Sequence, residues 1–176
     1  MIENASGATL SVRSNTLAPE AAREALARCC GAERWVQGML ARRPFASRAA
    51  LLDAATEVWA ELGPEDYREA FTHHPEIGVS LEELRQKFGT TAAWASAEQA
   101  GAAGASEATL RALAQGNQAY RAHFGYSFIV CATGKSAEEM RGLLEARLTN
   151  SVELELRVAA AEQAKITRLR LEKLES

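Results

Sequence analysis

The chain has 176 residues, 47% of them hydrophobic, and a formal net charge of −3; that length suits one domain with a single core, and that composition argues against disorder. A slightly acidic balance, with a pI near 5.7, supplies no general basic face for nucleic acid. No run of 18 or more apolar residues is present to span a membrane.

The first residues, "MIENASGATLSVRSNT", lack the charged start and apolar stretch of a secretory signal. They read as a polar leader over 1–16 with little to hold it in order, leaving 17–176 as the folded domain. Alanine-rich composition with few aromatics favours closely packed helices from there on. Pro19 sits at a good first-turn position for "PEAAREALARCC", which Gly31 closes. "AERWVQGMLARR" follows and ends against Pro44. In "SRAALLDAATEVWAEL", Leu51, Leu52, Ala55, Val58, Trp59 and Leu62 recur by threes and fours, as a buried helical face requires. Pro64 opens "PEDYREAFTHH" and Pro75 ends it.

Ser80–Glu83 and Ser136–Glu139 each have capping-box spacing, and Gly89 and Gly125 suit the position just past a helix. "SFIVCA", 127–132, departs from the helical rule: a continuous β-branched and apolar run of that length fits a buried extended segment or a helix start. The last long helix is expected from about Ser151 to Leu174. No internal repeat, low-complexity tract or linker interrupts the pattern. The expectation is an all-α, single-domain bundle of roughly eight helices.

The three cysteines, Cys29, Cys30 and Cys131, give neither a disulfide framework nor a CxxC zinc signature. They read as buried thiols in a reducing compartment. The C-terminal "LEKLES" is not a peroxisomal address, so the cytoplasm is the expected location.

Four stretches could carry chemistry. His73 and His74, two of only three histidines, stand immediately before Pro75. The proline pushes His74 out of helical geometry and directs its side chain from a fixed bend. A histidine so held can exchange a proton near neutral pH; a solvated helix end and a satisfied core histidine would explain the pair as well. Glu98 lies four residues after Trp94, hence on one helix face with it. A carboxylate beside an indole is partly desolvated and suited to acid–base work, unless it is simply exposed. On the final helix Ala159, Gln163, Ile166 and Arg170 recur at helical spacing. If that face packs inward, Arg170 needs an anion, either Glu98 or a bound carboxylate; alternatively Leu169 marks the core face and Arg170 snorkels at its margin. Finally, "ATGKS" at 132–136 lacks the first glycine of a phosphate loop, since position 129 is Ile129. Gly134 and Ser136 suit a turn and a helix cap instead.

Taken in order, "RWVQGMLARRPF" (34–45), "HHPEIG" (73–78), "EQAGA" (98–102), "NQAYRAHFGYSFIVCATGKS" (117–136) and "KITRLRL" (165–171) resemble the 2-oxo-4-hydroxy-4-carboxy-5-ureidoimidazoline (OHCU) decarboxylase family. The resemblance runs from about Leu17 to Leu171. It implies an all-α fold, a homodimer, no cofactor or metal, and a small ureidoimidazoline substrate converted to (S)-allantoin in urate degradation. By position it implies catalytic roles for His74, Glu98 and Arg170. Substrate contacts would come from Pro75, Ser96 and Gln99, and from the backbone of Ile129, Val130, Cys131 and Ala132. One departure stands out: the family's serine three residues before the glutamate is here Ala95, with Ser96 next to it. Either Ser96 substitutes through a local shift or one substrate hydrogen bond is absent.

Two other function classes share parts of this pattern. A non-catalytic helical interaction or regulatory domain would share this composition, but no basic recognition helix stands out. A histidine-based metal enzyme is disfavoured because adjacent histidines do not share a helix face as HExxH ligands do.

Overall fold

Nine helices and no strand make up the described residues, which are 12–74, 80–89 and 106–176 of the computed structural model. This is the all-α fold that the spacing predicts, with one short helix more than expected. The chain divides into two units: the described residues of Met1–Ala70 with Ala164–Ser176, and those of Phe71–Gln163.

The first unit holds α1 (Arg13–Thr16), α2 (Pro19–Cys29), α3 (Glu33–Ala41), α4 (Arg48–Ala60), all but the end of α5 (Pro64–Thr72), and the last part of α9 (Val152–Leu174). Pro19 starts α2 at its first turn, where a missing N–H costs nothing. Ser47 caps α4 by accepting from Ala50 N–H. Leu51, Leu52, Ala55, Val58 and Trp59 of the predicted face are buried, and Leu62 is half-buried. Trp35 of α3 is fully buried, and its indole N–H donates to Ala55 O at 3.2 Å. Residues 12–16, which the sequence assigns to the leader, are tied into this unit. Val12 is buried, Arg13 and Ser14 donate their N–H groups to the Glu175 carboxylate, and Asn15 exchanges two hydrogen bonds with the backbone of Phe45.

The second unit holds the end of α5, α6 (Leu81–Leu84) running into a π-helical turn (Arg85–Gly89), α7 (Glu107–Phe124), α8 (Ala137–Leu148) and the first half of α9. Ser80 accepts from Glu83 N–H, and the Ser136–Glu139 box forms in both directions. Gly89, expected beyond a helix, is instead the last residue of the π-helical turn. Gly125 ends α7 at φ 85°, a conformation that a Cβ would strain. Helices α7 and α8 approach closely at Gly116, where an added Cβ would lie 2.5 Å from Leu144 Cδ2. Phe71, Tyr120, Phe124, Tyr126 and Phe128 form the unit's aromatic core, with ring centroids 4.7–5.9 Å apart in the pairs centred on Tyr120. Residues 127–132 are not helical, which rules out the helix start for "SFIVCA", and Ile129 is the one buried residue of the run.

Among the described residues no helix is long and apolar enough to cross a membrane.

Candidate active site

Helix α5 stops at Thr72, and His74 follows two residues later, its N–H bonded to Phe71 O at 3.2 Å. His73 is exposed and His74 half-buried, so the two adjacent histidines differ as a bend requires. The ring Nε2 of His74 meets the side-chain oxygen of Gln163 on α9, and Gln163 is 1% exposed. His74 is therefore held at both its backbone and its ring. Pro75, Ser96, Glu98 and Gln99, and with them Ala95, lie outside the described residues.

The segment 129–132 is held by side chains on α8 and α9. Ile129 is buried, and its carbonyl accepts from Arg147 Nη1 at 2.6 Å. Cys131 N–H donates to Glu162 Oε2 at 2.8 Å, and Cys131 O accepts from Lys135 Nζ at 2.6 Å. Lys135 N–H closes a turn onto Ala132 O at 3.1 Å. Between these anchored positions, the N–H and C=O of Val130 bond to no described residue. Cys131 is half-buried, which corrects the expectation of three buried thiols; Cys29 and Cys30 are buried.

Behind the segment lies a buried ionic cluster that sequence reasoning missed. Arg147 and Glu155 have side chains 8% and 0% exposed, and Arg147 Nε and Nη2 reach Glu155 Oε1 at 2.8 and 2.5 Å. Tyr120 OH donates to the same oxygen at 2.5 Å, and Asn150 Nδ2 to the other at 2.9 Å. The guanidinium also lies over Phe128, 4.5 Å from its ring centroid. Burial, followed by donation to Glu155, pushes the Tyr120 phenol far above its ordinary range, so it remains a donor. A signal for Glu155 was present: it lies four residues before Ala159, extending the same inward face of α9.

That face is settled by burial. Glu155, Ala159, Gln163, Thr167 and Leu171 are buried, while Leu169 is 42% exposed. Leu169 therefore does not mark the core, which corrects the alternative that placed it there. Arg170 is half-buried at the margin, with Nη1 at 3.4 and 3.5 Å from the carbonyls of Arg28 and Cys29. Its described partner is thus the carbonyl end of α2, where a cation is favoured by the helix dipole. The neighbouring Cys29 and Cys30 thiols are both pushed up to about 11, chiefly by burial.

The structure thus brings His74 and Cys131 onto consecutive residues of α9, Gln163 and Glu162, within one unit. Arg170 belongs to the other unit.

A family model described as OHCU decarboxylase matches residues 15–172. The uric acid degradation bifunctional protein TTL of Arabidopsis thaliana is 34% identical over 147 residues, covering 83% of this chain and 45% of that protein. The chain thus spans a little under half the length of that relative. A crystal structure of OHCU decarboxylase in the presence of (S)-allantoin matches with a TM-score of 0.69 and 31% identity, over 86% of this chain and 96% of that one. A crystal structure of (S)-allantoin synthase matches with a TM-score of 0.65 over 91% of this chain and 52% of that one; at 17% identity it attests the shared fold alone.

Proposed function

The chain belongs to the OHCU decarboxylase family, and from that premise we propose that it decarboxylates 2-oxo-4-hydroxy-4-carboxy-5-ureidoimidazoline to (S)-allantoin. The observation that carries the reading is the double anchoring of His74, by Phe71 O and by the buried amide of Gln163.

The chemistry explains why so few groups suffice. One ring carbon of the substrate bears both the carboxylate and a hydroxyl, and the next ring carbon is doubly bonded to nitrogen. When CO2 leaves, the electron pair of the broken bond forms a double bond to the neighbouring carbon, whose C=N π electrons pass to the nitrogen, which takes up a proton. The substrate is its own electron sink, a task that cofactors perform elsewhere. The resulting enol then loses its hydroxyl proton as the carbonyl forms, and the ureido-bearing carbon gains a proton on one face. Two proton-exchanging groups are needed, and His74 and Glu98 take these roles. Arg170 either holds the substrate's carboxylate or fixes Glu98 as an ionised partner, and Pro75, Ser96 and Gln99 are the further contacts that the resemblance implies.

Val130 supports the reading of 129–132 as a recognition edge. In an extended run, successive residues turn their backbone groups to opposite edges. With Ile129 and Cys131 engaged by Arg147 and Glu162, Val130 is left with a donor and an acceptor side by side. A planar ureide presents the matching pair. The resemblance adds the backbone of Ala132 to the same edge. In this reading the protein is a cytoplasmic homodimer, and sedimentation giving about twice the 19.0 kDa chain mass checks the second half of that statement.

The test is to generate the unstable substrate in situ from urate with uricase and hydroxyisourate hydrolase, and to follow allantoin by circular dichroism. Rapid formation of the (S) enantiomer with wild type, reduced to the slow racemic background by His74→Ala, is the expected result. Wild type that only matches the background would overturn the reading.

A further inference from the structure

We infer that Gln163 is a positioning residue for His74: its amide oxygen accepts from ring Nε2, which fixes the ring's direction and leaves Nδ1 as the nitrogen that exchanges a proton in the reaction. This rests on the proposed function of His74. A neutral imidazole has one donor and one acceptor nitrogen, and the hydrogen bond made by one decides the state of the other. A nitrogen facing an amide oxygen must carry the hydrogen, so the lone pair falls to Nδ1. Gln163 is well placed to impose this. It is 1% exposed, flanked on the inward face of α9 by buried Ala159 and Thr167, and so has little room to turn. Burying an amide is costly unless its polar atoms are engaged, which favours a fixed partner over a mobile one. The preceding residue, Glu162, holds Cys131 N–H at 2.8 Å, so one turn of α9 sets both the ring and the 129–132 segment.

The experiment combines ring-nitrogen NMR with turnover. In 15N-labelled protein, long-range proton–nitrogen correlations assign the His74 ring by comparison with His74→Asn, at a pH where the ring is neutral. The expected tautomer is Nε2–H. Gln163→Leu, close in volume but without the acceptor, is expected to average the two tautomers. It should lower kcat at least tenfold while KM changes less than about threefold. Gln163→Glu restores an acceptor at the same place and is expected to restore the Nε2–H tautomer, which a packing defect would not do. An Nδ1–H tautomer in wild type, or a Leu variant unchanged in tautomer, overturns the inference. A Leu variant that loses the tautomer yet turns over normally also overturns it, by removing the ring from the chemistry. If wild type makes no (S)-allantoin at all, the functional reading fails while the NMR arm still decides what Gln163 does to the ring.

Discussion

Arg147 and Glu155 illustrate a cost borne at the residue scale. Moving two charges out of water costs several kcal/mol per ion, and attraction between them alone rarely recovers it. Here the pair gains Tyr120, Asn150 and Phe128, and the one described side-chain hydrogen bond that leaves the cluster goes to the carbonyl of Ile129. Glu155→Leu should therefore cost about 3–5 kcal/mol, read as a lower urea midpoint, because it strands the guanidinium. The double variant Arg147→Met with Glu155→Leu should recover most of that stability but not turnover, since Ile129 O would lose its donor. The thiols predict a different measurement. Burial holds Cys29 and Cys30 protonated up to about 11, so the folded state binds more protons than the unfolded state above the ordinary thiol range. Their contribution is complete below about pH 9 and is lost as pH rises toward 11, by roughly 2 kcal/mol for the more deeply buried Cys30. Urea unfolding at pH 8 and 10.5 should show a smaller fall for Cys30→Ala than for wild type. None of these partnerships was legible from sequence, because His74 finds Gln163 across 89 positions and Tyr120 finds Glu155 across 35.

Helices, by contrast, advertise themselves locally. Pro19, Pro64, Ser136 and Gly125 act through the backbone of their own turn, so a reader of the sequence finds them without knowing the fold. The face of α4 was legible for the same reason. The 127–132 run was not, since β-branched residues serve a helix or an extended segment and only Arg147 and Glu162 decide. The inward face of α9 was half legible: spacing found Ala159 and Gln163, but the face is polar enough that it did not look like a core. Ser136→Ala should lower stability by about 1 kcal/mol through the lost N-cap of α8, with turnover nearly intact. Gly116→Ala should cost about 1–3 kcal/mol, because Leu144 must leave its rotamer or α7 and α8 must separate. Thermal denaturation by far-UV circular dichroism checks both, and a fully tolerated Gly116→Ala would mean that the approach of α7 to α8 is looser than described.

At the scale of the whole chain, the divisions between the two units fall inside helices: after Ala70 in α5 and after Gln163 in α9. A helix interior is bonded from each N–H to the carbonyl four residues earlier, so neither division can be cut without breaking those bonds. Residues 71–163 expressed alone should show no cooperative unfolding transition, and a fragment that melts as sharply as the full chain would refute this. Helix α9 has a further consequence, for how such a protein can change over generations. Glu155 must face Arg147 while Glu162 and Gln163 face Cys131 and His74. Losing or gaining one residue between them would turn everything downstream by about 100°. Substitutions can accumulate on the outer face, at Leu169 for example, but length cannot drift. The interval from Glu155 to Gln163 is a ruler, and descendants of this chain that keep the chemistry must keep its count.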